Sequence, residues 1–354
     1  MAGPVVSQLF DRADADIVFR SSDNVDFRLH KLILGMASPV FSDMFSLPQP
    51  QGEGEQPQVV DVPETASVLE NLLPFCYPMA RPELLHIDDL QSVLHSTEKY
   101  EMTFISNQLL QNLRHFLPTE PLRVYSIACL VEDADLARAA AKVLLGSSPL
   151  YDPHNSPPEF DRLRASALAK IDAYRIDCAT AARSVVLDYD QLRSGFPPRF
   201  VSVSRKGNVD TSNAWIWLAC SSCTGGSVEI YVANAATGYR HGQTLTPRAW
   251  WSEYSDAVAK ELTLRPLASV VTETRFTRPA FDKAAKCATC GPRAAVELMQ
   301  YAEAVAKKIE DALSKVVFVL PFGQNEVPEE ASKPVVAELA DRAVEEANQF
   351  FAGW

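Results

Sequence analysis

Residues 27–45 read FRLHKLILGMASPVFSDMF. The stretch opens with the two-residue alternation of a half-buried strand, in which Val25, Phe27 and Leu29 face one way and Asp26, Arg28 and His30 the other. After His30 the period changes. Leu32 with Met36, and Ile33 with Ala37, are spaced i,i+4, which predicts a helix. Ser38 can cap a second helix with Pro39 at its first position, where a missing N–H costs nothing. Val40, Phe41, Met44 and Phe45 give that second helix an apolar face. Nothing in this strand–helix–helix unit has the residue types of a catalytic site.

Working outward, ADIVF (15–19) is rich in β formers and suits a strand buried on both faces. Ser21, Ser22, Asp23 and Asn24 supply the turn into the quoted strand. Downstream, QPQGEGEQPQ (49–58) is a polar loop and VVDV (59–62) a short strand. Val68, Leu69, Leu72 and Leu73 mark a helix that stops near Pro74 or Pro78. Asp88 or Asp89 can cap a helix carrying Leu90, Val93, Leu94 and Thr97. Ile105, Leu109, Leu113 and Phe116 mark another. Residues 14–117 thus read as an α+β unit of three short strands and five helices.

Residues 119–190 read as an all-helical extension. Leu122, Tyr125, Ser126 and Cys129 form one face, and Leu136, Ala139, Ala140, Val143 and Leu144 another. One long helix is expected over 159–187. Residues 195–354 change character again and read as a C-terminal α+β unit. FVSV, WIWLAC and VEIYVA look like strands, with Gly225-Gly226 as a turn. Helices are expected over 247–264, 266–273, 293–315 and 329–351, with CATCGP (287–292) as a tight turn and VVFVLPF as a strand or extended segment. No internal repeat of 20 to 50 residues is present, which argues against a propeller or solenoid.

Composition sets the bounds. The chain has 354 residues, 47% of them hydrophobic, and a net charge of −12. That length predicts two or three domains. The absence of an 18-residue apolar run predicts no membrane span. The N-terminal residues lack the pattern of a secretory signal, so cytosol or nucleus is expected. The acidic charge argues against a general nucleic-acid binder, although residues 199–293 carry 12 Lys/Arg against 7 Asp/Glu. Enzyme signatures are missing: no HExxH, no Gly-x-Ser-x-Gly and no phosphate loop. The Trp residues 215, 217, 250 and 251 read as packing aromatics.

Seven cysteines, an odd count, disfavour a disulfide framework. Cys76, Cys129 and Cys178 stand alone in apolar helical contexts and read as buried thiols. Cys220-Ser-Ser-Cys223 and Cys287-Ala-Thr-Cys290 have metal-ligand spacing. Two such turns can complete a closed, four-coordinate Zn²⁺ site, which is structural because no position is left open. Two separate redox sites, or four ordinary thiols, are the alternatives from sequence.

The segments DADIVF and VDFRLHKLILGMASPVFSDMF resemble the signature of BTB/POZ domains: a strand beginning with Asp, a strand ending in His-Lys, a helix, Ser-Pro, then Phe-x-x-Met-Phe. The likeness spans residues 14–117, and the layout with two CxxC pairs downstream is similar to BTB proteins of mushroom-forming (basidiomycete) fungi. The resemblance implies a protein-interaction module that forms homodimers. In some members a buried Asp and the basic residue after the His make a polar pocket at the dimer interface; those positions here are Asp16 and Lys31. Many members are adaptors presenting clients to a cullin ubiquitin ligase. The hydrophobic-x-Glu motif of cullin-binding members has no clear match in SLPQPQGEGE after Phe45, however. His30, at the strand–helix junction, is expected to bond a backbone carbonyl. The alternative reading is a transcription-associated zinc protein that touches nucleic acid through residues 199–293, where Arg275, Arg278, Lys283 and Lys286 lie close in sequence.

Overall fold

The computed structural model describes residues 5–47, 57–152, 154, 156–188, 202–203, 209–226, 230–234 and 238–323. They divide into two units, Met1–Ile127 and Ala128–Trp354.

The first unit is organised by a four-stranded sheet. β2 (Ile17–Arg20) and β3 (Val25–Leu29) form an antiparallel hairpin, with Ile17 opposite Leu29 and Phe19 opposite Phe27. Its turn places Asn24 at φ 64, a left-handed conformation that Asn tolerates better than most residues. The Ser21 hydroxyl accepts the Val25 N–H across that turn. β4 (Gln58–Asp61) runs parallel to β2, and β1 (Val5–Asp11) runs parallel to β3 on the other edge. β1 is a strand beyond the three expected, and it lies ahead of residue 14. Its inward residues, Ser7 and Phe10, are three apart, and its register shifts between Val6 and Asp11. Without a clean two-residue period the segment carries no strand signal.

The two expected helices are α1 (Lys31–Ala37) and α2 (Pro39–Ser46). They are followed by α3 (Ala66–Leu72), α4 (Ile87–Lys99) and α5 (Thr103–Leu113). α4 begins one residue before the expected cap. His86 is its N-cap, and Asp88 and Asp89 lie in its first turn, where their charge favours the helix dipole. The core joins sheet to helices through Phe19, Phe41 and Tyr100; the Phe41 ring lies 5.1 Å from Phe19 and 4.4 Å from Tyr100.

Ser38 fastens the α1–α2 corner. Its hydroxyl accepts the Phe41 N–H at 3.1 Å and donates to the Tyr100 carbonyl at 2.6 Å, with no exposed surface. Ser38→Ala removes the cap and leaves a buried carbonyl unmatched. A loss of about 2 kcal/mol in chemical denaturation is expected, and a change within experimental error would refute this role.

α6 (Pro121–Leu130) contains the division between the units. In the second unit, α7 (Ala134–Leu144) is capped by Asp133, whose carboxylate accepts the Leu136 N–H. The long helix expected over 159–187 is divided: a 3-10 turn at Pro158–Asp161 precedes α8 (Ala165–Leu187). Two short strand pairs follow, β5 (Ser202–Val203) with β6 (Val209–Asp210), and β7 (Ile230–Asn234) with β8 (Gly238–Leu245).

WIWLAC, expected as a strand, is instead the short helix α9 (Ile216–Ala219). Ala214 through Leu218 are all buried, so every position is apolar and periodicity cannot separate helix from strand. α10 (Ala249–Leu264) and α12 (Gly291–Ser314) match expected helices, and a 3-10 turn at Ala268–Thr272 replaces the one expected over 266–273. α11 (Thr274–Ala284) was not anticipated; it contains Pro279, which in a sequence reads as a breaker. VVFVLPF belongs to no strand. The helix expected over 329–351 lies outside the described residues. Among the described residues, no helix is long and apolar enough to cross a membrane.

The core of this unit is aromatic. Trp217 stacks on Trp215 at 5.0 Å and on Trp251 at 5.7 Å, with planes within 8° in both cases. Tyr301 from α12 meets all three indoles close to edge-on, and Trp250 meets Trp217 the same way. Such pairs add to the burial energy of large rings.

Candidate metal centre and interaction face

Both cysteine pairs stand at the ends of helices packed on the Trp core. Cys220 follows α9 directly, and Cys290 is the N-terminal cap residue of α12. Glu297, buried in α12, positions the first of them. One of its carboxylate oxygens accepts the Ile216 N–H at 2.7 Å, and the other accepts from Arg293 at 2.6 Å. Arg248 holds the far side of the same turn by donating to the carbonyls of Cys223 at 2.8 Å and Thr246 at 2.6 Å. Gly226 is required by close approach: a Cβ there would sit 2.0 Å from the Ser252 hydroxyl oxygen, at the start of α10. Gly226, expected with Gly225 to serve a turn, thus lets the chain pass against a helix.

The four sulfurs of Cys220, Cys223, Cys287 and Cys290 lie within 4.8 Å of one another. Cys220 Sγ is 3.8 Å from Cys287 Sγ, and Cys223 Sγ is 3.6 Å from Cys290 Sγ. A tetrahedral site with metal–sulfur bonds of about 2.3 Å has sulfur–sulfur edges of about 3.8 Å. Both distances are far beyond the ~2.05 Å of a disulfide, and all four are free cysteines. In each turn a backbone N–H points at sulfur: Ser222 to Cys220 at 3.4 Å, and Cys290 to Cys287 at 3.5 Å. The second turn's N–H groups, that of Cys290 foremost, together with neighbouring sulfurs, bring the Cys287 thiol down to about 6. Burial pushes Cys223 up to about 11 and also raises Cys290.

The cluster is shielded on one side only. Cys220 and Cys290 are 2% and 0% exposed. Cys223 and Cys287 are half-buried and line a cavity of about 490 Å³ with Trp250, Glu253, Lys283 and Lys286.

The basic residues singled out as a nucleic-acid contact are in part engaged elsewhere. Arg275 pairs with both Glu261 and Glu273, and Lys283 pairs with Glu253.

In the first unit, Asp16 and Lys31 meet, but through the main chain. The Asp16 carboxylate accepts the Lys31 N–H at 2.8 Å. It thereby caps α1, whose own cap residue His30 makes no side-chain cap bond. The Lys31 ammonium stands 5.9 Å from the centre of the Phe45 ring. His30 differs from expectation: its ring faces the Tyr77 hydroxyl at 3.4 Å and the Asp14 carboxylate at 3.5 Å instead of a carbonyl.

The outer surface of α1 was not singled out by sequence reasoning. Leu32 and Met36, four residues apart, are 75% and 83% exposed, and Leu34 alone of the helix is buried. The signal was present in the i,i+4 spacing, which marks an apolar face without saying whether it turns toward the core. On β1, Val5 and Leu9 are also exposed.

Residues 6–117 match the sequence model of the BTB/POZ domain family, so this segment is a BTB/POZ domain, a protein–protein interaction module. The match begins within β1. No curated protein matches the chain.

Proposed function

We propose that the protein acts by contact, its BTB/POZ domain joining two copies of the chain through the face of α1, while zinc held by Cys220, Cys223, Cys287 and Cys290 keeps the second unit in shape. The observation that carries the first part is the exposed pair Leu32 and Met36. Two long apolar side chains, four residues apart on a short helix with its opposite side already buried, suit a helix-to-helix contact. Asp16 and Lys31 stand at the start of the same helix, so a pairing there would enclose a carboxylate already satisfied by a backbone N–H. That arrangement lowers the cost of burying it.

Support for zinc lies in the donor set. Four thiol sulfurs at the edge length of a tetrahedron fit a soft, closed site. Such a site would tie the turn after α9 to the turn before α12 across the 63 residues between them and would contribute folding energy to the second unit.

Two differently tagged copies of the full chain tell the reading apart from its rivals. The wild-type copies are expected to co-precipitate. The double substitution Leu32→Asp/Met36→Asp is expected to reduce recovery at least tenfold, in line with the roughly 1.5–3 kcal/mol contributed by each buried Leu or Met side chain. Equal recovery from the variant would place the contact elsewhere.

A further inference from the structure

The cysteine cluster is asymmetric in a way that a purely structural site does not need. Each CxxC turn contributes one sealed sulfur, Cys220 or Cys290, and one that borders the open cavity, Cys223 or Cys287. Among the close sulfur–sulfur contacts, two join an open to a sealed sulfur across the turns: Cys223 to Cys290 at 3.6 Å, and Cys287 to Cys220 at 3.8 Å. Every sulfur that a small solute can reach therefore has a sheltered partner, 67 residues away in sequence, within one van der Waals contact.

We propose that this cluster is a site of oxidative modification by hydroperoxides, in which attack on Cys223 or Cys287 forms a disulfide across the two turns and releases the metal. The inference rests on the zinc reading for the release, but not for the pairing.

The chemistry balances without a further reagent. The open thiolate attacks one peroxide oxygen, the O–O bond breaks, and hydroxide leaves as a sulfenic acid forms. The sealed thiolate of the other turn then attacks that sulfur, the S–O bond breaks, and a second hydroxide departs as the disulfide closes. Two thiolates are oxidised by two electrons and one hydroperoxide is reduced. The cavity admits so small a reagent, and Lys286 on its wall brings positive charge to the developing hydroxide, while Lys283 is paired there with Glu253. With two of four ligands consumed, the zinc has only two sulfurs left and dissociates. The new bond still ties the turns together, so the Trp core keeps its closure while the metal is lost.

The test uses the wild-type full chain, purified without chelator and treated with a modest molar excess of hydrogen peroxide. Zinc is measured before and during treatment with a chromogenic chelator, and disulfides are mapped after alkylation and digestion. The expected result is loss of about one zinc per chain, with Cys223–Cys290, Cys220–Cys287 or both as the linked peptides, and reuptake of zinc after reduction. Links within a turn, Cys220–Cys223 or Cys287–Cys290, would overturn the proposal. So would retention of zinc, or oxidation to sulfinic acid without any link. A chain that holds no zinc at the outset defeats the metal reading alone, and the linkage map still decides this one.

Discussion

Cys290→Ser is expected to abolish zinc binding and to cost the second unit its cooperative unfolding transition at room temperature. The thiol is fully buried at the cap of α12, 3.6 Å from Cys223 Sγ, so a serine oxygen there cannot complete a four-sulfur site. A structural zinc of this type contributes on the order of 10 kcal/mol of apparent binding energy to the folded state. That exceeds the typical 5–15 kcal/mol stability of a domain at its lower end. Treating the wild-type chain with a strong chelator should reproduce the variant. Elemental mass spectrometry reads the metal, and tryptophan fluorescence during thermal unfolding reads the fold, because four of the five Trp residues lie in the core beside the cluster. Wild-type protein that carries no metal, or a Cys290→Ser variant with an unchanged transition, would defeat the zinc reading.

Trp217→Ala is the second large effect. Trp217 is fully buried between the parallel faces of Trp215 and Trp251, with Tyr301 and Trp250 edge-on. Removing it deletes the centre of the stack and leaves a cavity, for a cost of about 3–5 kcal/mol. Near-ultraviolet circular dichroism should lose most of its indole signal, since the rings that couple are no longer held in register. Trp217→Phe keeps a ring in the gap and should cost far less. If alanine were as well tolerated as phenylalanine, the stack would not be the structural centre of the unit.

The legible parts of this chain were mostly those in which one face is wet. β3, and α1 with α2, could be read because Arg28 and His30 alternate with Phe27 and Leu29, and because Ser38-Pro39 marks a helix start that the structure uses; β2, buried on both faces, was legible instead from its β-forming residues. Where burial is complete the pattern vanishes: Ile216 to Ala219 looked like a strand because no polar residue broke the run, but the Leu218 and Ala219 N–H groups turn back to the Trp215 carbonyl, and distant Glu297 accepts the Ile216 N–H at the start of the turn. β1 was missed for the opposite reason, its inward residues being too few and irregularly spaced. The spacing within each CxxC pair was plain, but no local rule brings together turns separated by 63 residues. Their meeting depends on how α9 and α12 pack on the tryptophans. Which sulfurs face the cavity, and which face each other, could be read only from the packed structure.

The central claim, that the BTB/POZ domain pairs two copies of the chain, is tested most directly by the mass of the full-length protein in solution. Sedimentation equilibrium across the micromolar range should return about twice the chain mass of 39.0 kDa for the wild type, and a single chain mass for Leu32→Asp/Met36→Asp. A wild-type protein that sediments as one chain throughout that range, while fully folded, would contradict the account.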